Sequence, residues 1–377
     1  MSEPAPRVLL VLAGSTGGIG RHVRSIVDGL AAAGIPVAVA GPAATDQHFG
    51  FSRAGAVFHA VEIQSSPRPL ADARAVRDLA NAVSAWRPTV VHAHGLRAGA
   101  VSVAVLGKLR RHLHAGLAVT WHNAPLGEGG WRRMQRAVEA IVARGADLTL
   151  CASDDLVERA RSFGARTARL APVAAPTLPP PTTDRETVRE ELGAKGRPLL
   201  LAIGRLAPQK DYATMLAGAR LWNDLDPAPV LAIAGDGPLR DQVQAYVDHH
   251  HLPVRLLGAR DDIADLLHAA DAVVLSSTWE ARALVAQEAL RAGVPLVATA
   301  VGGVPGLVGE AALLVPPGDP DALAAAVRRV LAEPGLGATL AAAGVLQSTA
   351  WPDESAVQAE LIKLYREWRV GTPPPIP

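Results

Sequence analysis

At 377 residues the chain is too long for one ordinary domain and suits two of roughly 150 to 200 residues each. Hydrophobic residues make up 49% of it, enough for sizeable cores, and 37 basic against 36 acidic residues leave a formal charge of +1, which excludes the electrostatic footprint of a nucleic-acid-binding protein. The single cysteine, Cys151, excludes an internal disulfide and has no CxxC partner for zinc, so a reducing compartment is expected.

The first element is a strand, "RVLLVLA", that runs into the glycine-rich turn "GSTGGIGRHV". Its apolar run, Val8 to Ala13, is too brief for a signal-peptide core or a membrane span, so a soluble, cytoplasmic protein is expected. A helix follows, starting near Gly20, with Val23, Ile26, Val27 and Leu30 on one stripe and Gly34 ending it. "PVAVAG", "VVHAHG", "LAVTWH", "DLTLCAS" and "ARLAPV" read as further strands with nearly continuous apolar content, as in a parallel sheet covered on both faces. Cys151 sits in one of them and reads as a buried thiol. Residues 1–175 therefore form an expected N-terminal Rossmann-like domain.

The stretch from residue 171 to 186 carries Pro172, Pro176 and Pro179 to Pro181, which suit neither a sheet nor a helix interior. It predicts a stiff linker, placed at 176–190, with Thr183 or Asp184 capping the next helix. Then "PLLLAIG", "PVLAIAG", "VRLLG", "AVVLSS", "PLVATA" and "ALLVPP" repeat the strand pattern over residues 191–350. In the last segment, 351–377, a helix from Glu354 to about Arg369 carries Val357, Leu361 and Leu364 on one face and is expected to pack back on the N-terminal domain. The predicted fold class is α/β: two Rossmann-like doubly wound parallel-sheet domains facing a central cleft, where the carboxyl ends of the strands meet.

A glycine turn of this kind first suggests a nicotinamide dehydrogenase. A short-chain dehydrogenase needs Tyr-x-x-x-Lys, yet Tyr212, Tyr246 and Tyr365 are followed four positions on by Leu216, His250 and Arg369. The acidic residue that would hold a cofactor ribose after the second strand is also missing until Asp46.

A denser set of chemistry-bearing residues lies in the second half. In "SSTWEARALVAQEALRAG", Glu280 and Glu288 stand eight positions apart across a strand-to-helix junction. If 283–292 is helical, the rise of about 1.5 Å per residue puts them on the order of 10 Å apart, with the amide donors of Ala283 and Leu284 at the helix start between them. A capping acid followed by a solvated one is the plain alternative. In "AIGRLAPQKDY", Arg205 and Lys210 would point roughly 140° apart on one helix. They converge only if a loop intervenes, as Pro208 suggests; two surface cations are the alternative. "LAIAGDGPLRDQV" reads as a shaped turn between strand and helix, and "VRLLGARDDIADLL" places Gly258 and Arg260 at a strand end. In the first half, Gly17 and Gly18 lie in the opening turn, His122 just past a strand end, and His92 and His94 at another; a zinc pair lacks a third ligand, so the last two read as hydrogen-bonded cleft residues.

In this order, over roughly Arg7 to Ala332, the motifs resemble those of the retaining glycosyltransferases of family 4, with the GT-B fold. The resemblance implies that Glu280 lies by the transferred hexose, that Glu288 binds the nucleotide ribose, and that Arg205 and Lys210 hold the donor diphosphate. It also implies that Gly258 and Arg260 shape the base pocket, that Asp261 and Asp262 cap a helix, that Gly17 and Gly18 meet the diphosphate, and that His122 sits beside the donor sugar. Transfer of a hexose from a nucleoside diphosphate sugar to an acceptor hydroxyl of a glycan, glycolipid or small-molecule glycoside follows, with anomeric retention and with neither cofactor nor metal. Two departures stand out: Ala281-Arg282-Ala283 replaces the usual Gly-Phe-Gly, and "APVAAP" replaces an Asn-Gly. A nucleotide-sugar 2-epimerase of the same fold, or a non-catalytic nucleotide-sugar-binding or assembly subunit, are the alternative functions. The basic clusters "GKLRRHLH" and "WRRMQRAVEAIVARG" add a reading of peripheral contact with the anionic inner face of a membrane, against a merely solvated helix face.

Overall fold

The computed structural model describes residues 5–15, 17–64, 66, 68–109, 115–124 and 129–368, which divide into two units: Met1–Val173 with Glu354–Pro377, and Ala174–Asp353. In the first, β1 (Val8–Leu12), α1 (Gly18–Ala32), β2 (Val37–Gly41), α2 (Ala43–Phe49), β3 (Val57–Ala60), α3 (Pro69–Trp86), β4 (Val90–His94), α4 (Leu96–Leu109), β5 (Gly116–Trp121), α5 (Gly129–Gly145), β6 (Leu148–Cys151), α6 (Asp154–Ser162) and β7 (Ala168–Leu170) alternate along the chain. The strands pair in parallel in the order β3-β2-β1-β4-β5-β6-β7. β1, β2, β4, β5 and β6 are buried at every position, which explains their nearly continuous apolar composition. Edge strand β3, "VFHA", is half-buried to exposed and lacks that signature, so sequence patterning passes over it. Cys151 is buried in β6, where desolvation and then Asp155 push its thiol up to about 12.

The second unit contains α7 (Arg185–Glu191), β8 (Leu199–Ile203), α8 (Tyr212–Trp222), β9 (Val230–Ala234), α9 (Arg240–His250), β10 (Val254–Gly258), α10 (Ile263–Ala269), β11 (Ala272–Leu275), α11 (Leu284–Arg291), β12 (Leu296–Thr299), α12 (Val304–Val308), β13 (Leu313–Val315), α13 (Pro320–Ala332) and α14 (Leu336–Ser348). Its parallel order is β10-β9-β8-β11-β12-β13. In each sheet the order reverses once, at β1/β4 and at β8/β11, and the connections leaving such neighbours part to opposite faces and open a crevice at the carboxyl ends.

The proline stretch is not a free spacer. It belongs to the second unit, where Leu178 packs on the core and Asp265 accepts from the backbone N–H of Thr182 and Thr183, at 2.6 and 3.2 Å. α7 begins at Arg185, inside the expected 176–190 linker, and Asp184 caps it by accepting from Thr187 N at 3.0 Å.

The last helix, α15 (Glu354–Glu367), belongs to the first unit. It buries Leu361, Leu364 and Tyr365 against a cluster that includes Val23, Ile26 and Leu30 of α1. Gln358 Nε2 donates to Ser25 O at 2.9 Å, where Gly29 of α1 lets the helices approach: a Cβ there would lie 2.9 Å from the Gln358 side chain. Tyr365 Oη lies 2.6 Å from His92 Nδ1, and Thr120 Oγ1 lies 2.6 Å from His92 Nε2. Both histidines of the "HAH" run are thus hydrogen-bonded, as expected, and lie buried within the sheet, at 0% and 2% exposure. Strand alternation puts them on one face, which helices cover.

Burial holds these rings neutral. It lowers His92 to about 3, with help from His22, and His22 to about 4. Because the unfolded chain takes up protons near 6.5 while the folded rings resist, stability is complete above pH 6.5 and is lost as pH falls toward 4. The denaturant midpoint should therefore fall already between pH 6.5 and 5, above the carboxylate range; a level or rising midpoint over that window contradicts the neutral cluster.

Candidate active site

The reversal at β8/β11 brings two segments together that lie 70 residues apart in the chain. After β8 comes Gly204-Arg205, then a 3-10 turn, Pro208–Lys210; after β11 comes "SSTWE". Lys210 Nζ donates to Glu280 Oε1 at 2.6 Å, and the two side chains are only 20% and 12% exposed. Ser277 Oγ donates to the same oxygen at 2.7 Å. An ammonium has three donors and Glu280 takes one, so the pair keeps the means to hold a further anion.

The backbone around the pair is tied from several sides. Ser276 Oγ donates to Lys210 O at 2.8 Å, Thr278 N to Gln209 O at 2.8 Å, and Gln209 Nε2 to Trp279 O at 2.7 Å. Asp211 has left-handed φ and caps α8 by accepting from Thr214 N at 3.2 Å, which turns the chain just after Lys210. Tyr212 Oη donates to Gly204 O at 3.0 Å; burial and then the Glu280 charge hold its phenol well above the usual range. On the far side Gly303 N donates to Glu280 O at 2.9 Å. Gly302, with φ +51, is required there because a Cβ would meet that carbonyl at 2.1 Å.

α11 starts at Leu284, after the short turn Ala281-Arg282-Ala283, so Glu280 lies off the helix and the helical-rise estimate does not apply to it. Ala283 occupies the cap position without a side-chain bond, and the first turn presents its amides to whatever lies before it. Arg282 does not join Lys210: its guanidinium carbon lies 5.8 Å from the Trp351 ring centre, and burial and then Arg291 lower it to about 10.

The remaining expected residues are spread over the same end of the unit and beyond it. Arg205 is exposed in the turn after β8. The "GDG" turn packs against that turn as scaffold: a Cβ on Gly235 would meet Gly204 O at 1.9 Å, and one on Gly237 would meet Leu206 O at 2.4 Å. Gly258 has φ +72 and accepts from Gly235 N at 2.7 Å. Arg260 Nε donates to Asp262 Oδ1 at 2.6 Å; Asp262 stands at the cap position of α10 but makes no capping bond, so the expected Asp261/Asp262 capping pair is replaced by an Arg260–Asp262 ion pair. Glu288, one turn into α11, is 8% exposed and lines a cavity of about 310 Å³ with Pro176, Leu178, Leu267, His268 and Arg291.

In the first unit α1 begins at Gly18, two residues before the expected start, with Gly17 at its cap. Space within 4 Å of a Gly17 Cβ is open, whereas a Cβ on Gly20 would meet the Phe49 ring at 2.0 Å, so packing requires glycine at 20 and not at 17. His122 follows β5 and meets His94 at 3.2 Å between Nε2 and Nδ1. His22, which pattern reading passes over as part of an amphipathic helix, joins them with ring centres 5.6 Å from His94 and 5.5 Å from His122. Among the described residues no group of three or more His, Cys, Asp or Glu side chains has the arrangement to hold a metal ion. Ser277 and Tyr212 are likewise missed by pattern reading; Ser277, three residues before Glu280, is the one whose position in "SSTWE" could have suggested it.

Residues 17–176 match the family model described as "Glycosyl transferase 4-like domain", and residues 184–344 match "Glycosyl transferases group 1". The chain is 30% identical over 309 residues to the glycogen synthase of Mycobacterium tuberculosis, covering 78% of this chain and 72% of that protein. It is also 30% identical over 260 residues to the 2-deoxystreptamine N-acetyl-D-glucosaminyltransferase of Streptomyces fradiae, covering 63% and 61%. Among solved structures, Anabaena Alr3699/HepE in complex with UDP and glucose superimposes with a TM-score of 0.80 at 19% identity, over 95% of this chain and 98% of that one. WaaG, a glycosyltransferase involved in lipopolysaccharide biosynthesis, superimposes with a TM-score of 0.71 at 17% identity, over 95% and 99%. With both family matches in sequence order on two parallel-sheet units, the chain belongs to the glycosyltransferases of the GT-B fold and is a transferase enzyme.

Proposed function

We propose that this enzyme is a retaining, metal-independent family 4 hexosyltransferase that takes its sugar from a nucleoside diphosphate donor and gives it to an acceptor hydroxyl. The observation that carries this is the Lys210–Glu280 pair at the β8/β11 reversal, 2.6 Å apart, beside the uncapped start of α11. Such a place offers a cation and backbone donors to a pyrophosphate while a carboxylate stands ready for sugar hydroxyls. UDP and glucose bound to the Anabaena neighbour support a nucleotide-sugar donor.

In this reading Lys210, Arg205 and the amides of Ala283 and Leu284 offset the charge that builds on the departing diphosphate. The leaving phosphate oxygen takes the acceptor hydroxyl proton as the new glycosidic bond forms on the face the phosphate leaves, through an oxocarbenium-like state. Glu280 orients the hexose and, held by Lys210 and Ser277, is not a nucleophile. Glu288 takes ribose hydroxyls, and Gly258 and Arg260 border the base. From the first unit, Gly17, around which the space is open, Gly18 and the His122 ring serve as ligand contacts. The site we assign is cytoplasmic. Exposed Lys108 on α4 and Arg132, Arg133, Arg136 and Arg144 on α5 support contact with an anionic membrane; residues 110–114 of the expected basic clusters lie outside the described residues. No single helix among the described residues is long and apolar enough to cross a membrane.

Lys210→Ala should lower turnover by roughly a hundredfold or more, as loss of an electrostatic donor to a developing anion does; near-normal kcat in a folded variant removes Lys210 from the reaction. A thermal-shift panel of UDP, GDP, ADP and their sugars should raise Tm with one base only, and a level response to all of them contradicts the donor assignment. Liposomes containing anionic lipid should sediment the protein at low salt and release it at high salt; salt-insensitive behaviour ends the membrane reading.

A further inference from the structure

The four-histidine cluster of the first unit carries an inference about how His122 is held. Alternation along β4 puts His92 and His94 on one face; β5 pairs beside it, with Thr120 opposite His94, and His122 follows two residues on. α1 brings His22 edge-on to both His94 and His122, at 72° to each ring. His92 spends both nitrogens on Tyr365 Oη and Thr120 Oγ1. His94 uses only one: Nδ1 lies 3.2 Å from His122 Nε2, while its own Nε2 is buried with no hydrogen-bond partner among the described residues.

That orphan decides the proton. Burial, with the neighbouring rings, holds His94 and His122 well below the usual histidine range, so both are neutral and each carries one N–H. If His94 carried its proton on Nε2, a buried N–H would have no acceptor. If it carries the proton on Nδ1, the orphan is a lone pair, which is the cheaper omission. His94 then donates from Nδ1 to His122 Nε2, and His122, accepting there, must carry its own proton on Nδ1.

We propose that His94 is a positioning residue that locks His122 in the Nδ1–H form, so that His122 meets a ligand as a hydrogen-bond donor from Nδ1 to a sugar or phosphate oxygen. The ligand half of this rests on the proposed function; the tautomer half does not. An imidazole free in water favours the opposite, Nε2–H form, so the lock is visible without any turnover measurement.

The test is long-range ¹H–¹⁵N correlation spectroscopy on the full chain labelled at histidine nitrogen, with His122 assigned by the signal that His122→Ala removes. Wild-type His122 should show a protonated Nδ1 and an unprotonated Nε2. His94→Asn, whose amide keeps a donor near the place of Nδ1, should retain that pattern, whereas His94→Leu should let His122 revert to Nε2–H. Should the leucine variant fail to fold, His94→Gln, with its amide near the place of Nε2, replaces it with the same expectation. An Nε2–H pattern in the wild type, or one unchanged by loss of the donor at 94, overturns the proposal. Full turnover in His122→Ala beside the expected tautomer shift instead overturns the ligand role of His122 and leaves the lock standing.

Discussion

Lys210 and Glu280 can form an ion pair because two strands that are not consecutive in the chain lie side by side. β8 and β11 are neighbours only through the reversal of strand order, and each ends in a turn rather than running directly into its helix. Two largely buried charges cost solvation energy that their attraction repays only with good geometry and further hydrogen bonds. Ser277 supplies one of those bonds and fixes which oxygen of the carboxylate the ammonium meets. Removing either partner would strand the other in a poorly solvated place, so the pair is held in the free enzyme as a preformed polar centre.

Close backbone approach then builds the surroundings of that pair. Gly235 and Gly237 let the β9 turn lie against Gly204 and Leu206, and Gly302 lets the β12 turn lie against the carbonyl of Glu280. Side chains at these places would push the turns apart. The chemistry therefore depends on residues that carry none, and the rigidity of the centre comes from backbone hydrogen bonds such as Gly303 N to Glu280 O and Leu206 N to Asp236 O.

Much of the second sheet is legible in the sequence because its strands are buried on both faces and read as apolar runs between turns. All six quoted runs correspond to strands β8 to β13. Edge strand β3 escapes because exposure removes the pattern, and the Asp262 cap is misjudged because spacing identifies a cap position but not a competing arginine two residues away. The Glu280/Glu288 spacing is visible; the surroundings of each are not, since Glu280 sits in a non-helical turn and Glu288 faces the proline segment across a cavity. The histidine cluster reads as separate strand-end residues because its members come from one helix and two strands, and only the packing of α1 on the sheet joins them.

The return of α15 has a consequence for biosynthesis. The second unit interrupts the first in the chain, so the hydrophobic groove that Leu361, Leu364 and Tyr365 fill stays open while residues 174–353 are being made. During translation His92 can hold Thr120 through Nε2 but leaves Nδ1 without its Tyr365 partner until the ribosome has delivered α15. The interrupting unit, whose contacts are complete by Asp353, has no such delay.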